Sequence, residues 1–440
     1  MSLHRLAVFD GDSRVGTLEY ESLEERFGFD YDPGWLATET SYSISPHILR
    51  FGKPAETGTV RRFVENLLPE GRALDIVSTT HQVAKNNIYG LIRELGRETS
   101  GALAFLPDDQ APQDQADTRR EIKREELRQR IGQRSQIPFA AWDGRVRLSI
   151  AGHQDKLAVY LDADKDRMYL VEGQLASTHI LKPEPLDGRL PMLVANEHFA
   201  MSLAARLGLA VPSVSILRLP DPVLSIERFD RLRNADHVRR LHIVDACQAL
   251  NFPVAYKYER NFGAGRDVSH IRDGVSFERL FSISEYTVHK AVTRLSLLRW
   301  ALYQYLIGNS DAHGKNVSFY CRPEGLALAP FYDLVSVVQY DSLDHDTAMA
   351  YGDEFRLQEL SPFAWADFAR RTGTPRPLLA REMTRMGKAA LEAAPAQACA
   401  EDYIDDERAF VERISAFVHD QARQLVDHAA PMQKVDASLL

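Results

Sequence analysis

The chain has 440 residues, 45% of them hydrophobic, and a formal net charge of −9. That length exceeds one ordinary core and suits two domains or a two-lobed enzyme, and an acidic balance with both signs spread along the chain argues against a dominant nucleic-acid surface. Cys247, Cys321 and Cys399 stand far apart in no CxxC spacing, so neither a disulfide framework nor a zinc site follows, and reduced cytosol is the natural compartment. The start of the chain lacks the apolar core of a signal peptide, and no run of 18 apolar residues is present, so no membrane association is expected.

In chain order, residues 5–9 and 14–19 read as the strands of a hairpin around Gly11-Asp12. Residues 60–68 and 87–95 carry helical apolar spacing, and 101–106 is a further strand. Residues 107–120 are rich in Asp, Gln and Ala with almost no large apolar side chain, which reads as an exposed or disordered connector. From 145 to 228 the pattern turns to strands, at 146–150, 157–161, 168–171, 179–182, 214–217 and 223–227, with one helix at 196–207 closed by Gly208. Beyond about residue 240 the reading is mostly helical. The helix at 292–307 is apolar almost all round and must be buried, and Gly308 ends it. Further helices are expected at 363–371, 376–386 and 405–428.

Five short motifs carry chemistry. The first, Ser149-Ile150-Ala151-Gly152-His153-Gln154-Asp155-Lys156, lies between two strands. Gly152 lets backbone N–H groups approach phosphate oxygens, and Lys156 supplies a point charge to them. Second, the strand His179-Ile180-Leu181-Lys182 ends in a lysine placed to grip phosphates. Glu197 on the next helix is either its partner or a solvated helix acid. Third, Glu227-Arg228-Phe229 falls at the switch from strands to helices, where a hinge would offer the backbone of Glu227 and Phe229 to an adenine ring. Fourth, Asp311-Ala312-His313-Gly314-Lys315-Asn316 follows the buried helix. Its Asp and Asn have the spacing of a kinase catalytic loop, in which the Asp orients or deprotonates the substrate hydroxyl and the Asn binds Mg²⁺. Fifth, Asp333 in Phe331-Tyr332-Asp333-Leu334 stands 17 residues beyond Asn316, after a short hairpin at 317–320 and 326–329. It fits the second metal carboxylate.

Each motif alone is compatible with an ordinary turn or surface acid. Their order is what tells: phosphate loop, Lys, hinge, Asp…Asn and metal Asp is the N-to-C order of a protein kinase. The expected fold is therefore α+β and two-lobed, protein-kinase-like, with a β-rich N-terminal lobe and an all-helical C-terminal lobe. The division runs 1–107 as an N-terminal subdomain, 108–144 as connector, 145–235 as the nucleotide-binding part of the first lobe, and 236–440 as the helical lobe. A small-molecule kinase of the aminoglycoside or homoserine type shares the Asp-x-x-x-x-Asn loop. It usually has His directly ahead of the Asp, where Ser310 stands here, and it would leave the first 100 residues unexplained.

The same strings resemble the HipA family. SIAGHQDKLA at 149–158 is similar to its phosphate loop, SDAHGKN at 310–316 to its catalytic loop, PFYDLVS at 330–336 to its metal segment, and SIERFDR at 225–231 to its hinge. VENLLPEGRA at 64–73 and ELGRETSGAL at 94–103 resemble its N-terminal domain, so the likeness spans about residues 5–425. Two departures stand out: Ala312 and Gly314 exchange the family's Gly and Ala, and His153 replaces the commoner Ala.

The resemblance implies a serine/threonine-protein kinase toxin using ATP and Mg²⁺, with Asp311 as catalytic residue and Asn316 and Asp333 as metal ligands. It places Ala151, Gly152, His153, Gln154, Asp155, Lys156, Lys182, Glu227, Phe229, His313 and Tyr332 on the nucleotide. It makes Ser149 a site of inhibitory autophosphorylation. It implies as partners a HipB-like helix-turn-helix antitoxin, operator DNA only through that antitoxin, and a protein substrate such as glutamyl-tRNA synthetase or another aminoacyl-tRNA synthetase, all in the cytoplasm. A degenerate kinase serving only as corepressor is the alternative; the complete set of Asp311, Asn316, Asp333 and Lys182 speaks against it.

Overall fold

The computed structural model describes residues 2–143, 145–146, 154–162, 167–234 and 237–440. The chain divides into a first unit of Met1–Leu186, Leu217–Val254 and Phe319–Ala327, and a second of Asp187–Ile216, Ala255–Ser318 and Leu328–Leu440.

The first unit holds two main sheets. One is four-stranded and antiparallel, in the order Arg26–Tyr31, Ser13–Glu21, Leu3–Asp10, Leu103–Pro107. Leu3–Asp10 is central, with Leu6 opposite Leu18 and Val8 opposite Phe105. Leu6, Ala7, Val8 and Phe9 are all buried, so both faces of this strand are covered and it reads as a continuous apolar run instead of an alternating one. The helices Thr57–Glu65, Gly71–His81 and Ile88–Leu95 lie between the third and fourth strands in sequence.

The other sheet is six-stranded, in the order Val214–Leu219, Asp221–Glu227, His179–Pro183, Leu157–Asp162, Arg167–Glu172, Thr118–Ile122. Leu157, Val159, Met168, Leu170 and Leu181 meet Phe139, Trp142 and the helix residues Leu127 and Ile131 in one core. That helix, Arg124–Gly132, and the strand Thr118–Ile122 lie in the stretch read as a connector, so 118–132 is regular secondary structure. Thr118–Ile122 escaped notice because it is an edge strand: of its residues only Ile122 is buried, and the charges of Arg119, Arg120 and Glu121 serve an edge well.

The all-helical reading of 236–440 is also corrected. Ile243–Asp245 joins Ser318–Arg322 and Gly325–Leu328, the hairpin expected at 317–320 and 326–329, in a three-stranded sheet, and most of these residues belong to the first unit.

The second unit is built on the helices Leu193–Arg206, Lys290–Ile307, Pro362–Arg371, Arg376–Ala398 and Asp405–Gln433. Lys290–Ile307 runs through its core. Trp300, Tyr303 and Tyr305 on it are fully buried, as are Tyr351, Trp365 and Phe368 around it. The hydroxyls of Tyr303 and Tyr351 donate to the carbonyls of Ala200 (2.5 Å) and Ala301 (2.7 Å), which satisfies their polar ends in an apolar setting. Gly308 ends this helix at φ +64°, and a Cβ there would lie 2.5 Å from Val338 Cγ2. Conformation and space both demand glycine, and the chain is turned directly into the Asp311 loop. No helix among the described residues is long and apolar enough to cross a membrane.

Candidate active site

The Asp311 loop is fixed by its neighbours before any ligand is considered. Asn309 donates to Gln304 Oε1 (2.9 Å) on the preceding helix and accepts from the Asp311 backbone N–H (3.1 Å). Ser310 donates its hydroxyl to the Asp344 carbonyl (2.9 Å). The His313 N–H reaches the Asp311 carbonyl (2.9 Å), and the Gly314 N–H reaches the Lys257 carbonyl (2.9 Å). Asp311 itself stays exposed, its Oδ1 accepting from the Tyr258 hydroxyl at 2.6 Å.

Asn316 and Asp333 are brought together: Asn316 Nδ2 donates to Asp333 Oδ2 at 2.9 Å, while Asn316 Oδ1 accepts from the His313 N–H at 3.1 Å. Asp333 adopts φ +58°, a left-handed backbone that costs a non-glycine residue about 1–2 kcal/mol. Such strain persists where surrounding bonds over-determine it, and it concentrates at functional sites. Here the surrounding bonds are visible. Tyr332 donates to the Lys315 carbonyl (2.6 Å) and shares a bond with Ser318 Oγ (2.7 Å). On the other side, Asn196 from Leu193–Arg206 accepts from the Ser336 N–H (2.8 Å) and donates to the Ser336 carbonyl (3.1 Å). His313 is buried, its ring edge-on to Tyr258 at 5.0 Å.

In the first unit, Lys156 and Lys182 are buried, at 8% and 7% exposure. Leu157, next to Lys156, pairs with Leu181, next to Lys182, across antiparallel strands. Gln154, Asp155 and Lys156 line a small cleft with Arg72, Ala73 and Ile76 of Gly71–His81 and with Pro138, Phe139 and Ala140. Ser149, Ala151, Gly152 and His153 lie outside the described residues.

Glu227 is exposed and Phe229 partly so, while Arg228 and Asp230 between and beyond them turn inward. Asp230 accepts from Arg228 Nε (3.0 Å) and Nη2 (2.8 Å), from Arg231 Nη1 (2.8 Å), and from the Gly101 N–H (3.1 Å). Burial alone would raise its pKa, yet the two guanidinium groups hold its carboxyl well below the usual range. The Phe229 carbonyl accepts from Tyr320 (2.8 Å). This buried cluster sets the backbone of 227–229 in place.

Glu197 is 1% exposed, so the reading of it as a solvated helix acid does not hold. Sequence reasoning passed over Lys257 and Tyr258, which touch the Asp311 loop, and Asn196, which holds Ser336 beyond Asp333. The only signal was a Lys-Tyr-Glu string at 257–259 in a region with no clear periodicity.

Known proteins give this arrangement its context. Residues 148–397 match the HipA-like C-terminal domain, and residues 6–106 the HipA N-terminal domain. The serine/threonine-protein kinase toxin HipA of Shewanella oneidensis is 41% identical over 385 residues, 86% of each chain. A solved structure of a toxin–antitoxin complex from the same organism, HipA and HipB with operator DNA, contains a chain that superposes with a TM-score of 0.88. The identity there is 36%, over 98% of this chain and 100% of that one. Two matched domains and a relative of this likeness over most of the length settle the family: the chain belongs to the HipA family of serine/threonine-protein kinases.

Proposed function

We propose that this protein is the toxin of a toxin–antitoxin module, a two-lobed kinase that transfers the γ-phosphoryl of Mg-ATP to a serine or threonine of a target protein. The observation that carries the reading is the pairing at the Asp311 loop. An exposed carboxylate is held on a fixed turn, and an amide and a carboxylate, Asn316 and Asp333, are joined at 2.9 Å beside it in the loop sequence.

Asp311 takes the proton of the substrate hydroxyl. Asn316 and Asp333 fit Mg²⁺ in donor chemistry, since the ion takes oxygen ligands from one or two carboxylates or amides and completes its shell with water and phosphate. When bound there, it neutralises charge on the phosphates. Lys156 and Lys182 contact the phosphates, with Ala151, Gly152, His153, Gln154 and Asp155 as their covering loop. His313 and Tyr332 border the nucleotide, and the backbone of Glu227 and Phe229 meets the adenine.

By family resemblance the target is an aminoacyl-tRNA synthetase, such as glutamyl-tRNA synthetase, and its modification stops translation and growth in the cytoplasm. A HipB-like helix-turn-helix antitoxin neutralises the kinase and alone brings it to operator DNA. The Shewanella complex, in which HipA is bound with HipB and operator DNA, supports that assignment. Autophosphorylation of Ser149 switches the kinase off: a phosphoserine adds roughly two negative charges, which repel the ATP phosphates.

Induced expression tests the reading. Wild-type protein should arrest growth, the Asp311→Ala variant should not, and co-expression of the cognate antitoxin should restore growth. Undisturbed growth at high levels of soluble wild-type protein would reject the toxin role. Intact-mass analysis after ATP incubation should show one phosphate at Ser149, and that form should bind ATP weakly.

A further inference from the structure

We infer that Tyr258 is a positioning residue for phosphoryl transfer: its hydroxyl orients the Asp311 carboxylate so that one oxygen, Oδ2, is left to receive the substrate proton. The inference rests on Asp311 being the catalytic residue.

The geometry is specific. The Tyr258 hydroxyl donates to Asp311 Oδ1 at 2.6 Å, and no hydrogen bond to Oδ2 is present among the described residues. An exposed aspartate otherwise rotates freely about its two side-chain torsions. A single bond between partly exposed groups adds little to stability, so the value of this one lies in fixing the carboxylate plane.

Tyr258 is itself held on both sides. The Val275 N–H donates to the Tyr256 carbonyl (2.8 Å), the Gly314 N–H to the Lys257 carbonyl (2.9 Å), and the Glu259 N–H to the Ala348 carbonyl (2.9 Å). Next door, the buried Glu259 carboxylate accepts from the Ala350 N–H (2.7 Å) and from Arg272 Nε (2.7 Å). The ring rests edge-on against His313, with Lys257 Nζ 5.3 Å from its centroid. A hydroxyl on so rigid a mount can impose a direction on a mobile partner. In the reaction, the substrate oxygen bonds to the γ-phosphorus as the bond to the β-phosphate oxygen breaks. ADP leaves, and the hydroxyl proton passes to Oδ2.

The test is a double-mutant cycle in single-turnover phosphoryl transfer with Tyr258→Phe, Tyr258→Leu and Asp311→Asn. Tyr258→Phe should lower kcat about tenfold, the scale of one oriented hydrogen bond, with KM for ATP unchanged. Tyr258→Leu should fall at least as far. Combined with Asp311→Asn, Tyr258→Phe should cost nothing further, because the group it orients is no longer a base. Loss of folded protein would lower activity by the same factor in both backgrounds, so the cycle separates positioning from mere stability. Wild-type kcat in Tyr258→Phe, a tenfold loss that persists beside Asp311→Asn, or a rise in KM for ATP alone would overturn the inference. Full activity of Asp311→Asn itself would instead overturn the kinase assignment on which it rests.

Discussion

Gly314 stands in the catalytic loop where the HipA pattern carries alanine, and its surroundings explain the exchange. A Cβ on Gly314 would lie 2.7 Å from Val275 Cγ2 and 3.0 Å from Val275 Cβ. Carbon atoms sit comfortably at about 3.5–4.0 Å, so one partner must yield by close to an ångström. Neither can do so freely. Val275 is 0% exposed, and both residues are tied by backbone bonds to the Tyr256 and Lys257 carbonyls. Gly314→Ala should therefore cost about 1–3 kcal/mol through overpacking. Val275→Ala removes two methyl groups from a buried site, about 2 kcal/mol. Together they should cost about 1–2 kcal/mol less than the sum, because the new methyl occupies the vacated space. Urea unfolding of the four proteins measures this coupling. Phosphoryl transfer should follow it, falling in Gly314→Ala as the clash presses on the Asp311 turn and recovering in the double variant. Additivity to within about 0.5 kcal/mol would refute the packing argument.

Three further outcomes follow from particular contacts. Asp230→Ala should destabilise the first unit by about 3–5 kcal/mol, since it strands the buried Arg228 and Arg231 without their shared carboxylate; a loss under about 1 kcal/mol in thermal unfolding would count against it. His242 is buried with its imidazole pushed down to about 4, mainly by desolvation, while an unfolded imidazole titrates near about 6.5. The unfolded chain thus takes up the proton first as pH falls. Stability is full above about pH 6.5 and declines by roughly 3 kcal/mol towards about pH 4, and His242→Phe should flatten that decline in denaturant titrations. Asp333→Ala should lower Mg-ATP affinity at least about tenfold by removing the proposed metal ligand while leaving metal-free ATP binding nearly unchanged, as calorimetry would show.

What the sequence disclosed was local. Asp311 and Asn316 are five positions apart in one loop, and Lys182 lies near the end of a strand marked by the apolar pair Ile180-Leu181, so both placements could be read directly. The long buried helix before the loop announced itself by an apolar run and a closing glycine, and Lys290–Ile307 lies within two residues of the expected bounds. The missed elements share a different physics. Thr118–Ile122 is an edge strand with charged outer residues, so burial leaves it little pattern; Arg26–Tyr31 does alternate, with Phe27 and Phe29 buried, but is short and interrupted by Gly28. Tyr258 and Asn196 reach the site across 53 and 140 positions, and no short window contains such a pairing. The left-handed backbone of Asp333 has no sequence mark at all, because aspartate there replaces the glycine or asparagine that would signal it.

The central claim is that Asp311 serves phosphoryl transfer from ATP to protein serine or threonine. Its most direct test is transfer of labelled γ-phosphate to a whole-cell protein extract by the wild-type protein and by Asp311→Ala, with ATP binding measured on both. The expected result is labelled phosphoserine or phosphothreonine in the wild-type reaction, at least about a hundredfold less with Asp311→Ala, and equal ATP affinity. Near-wild-type transfer by Asp311→Ala would contradict the account.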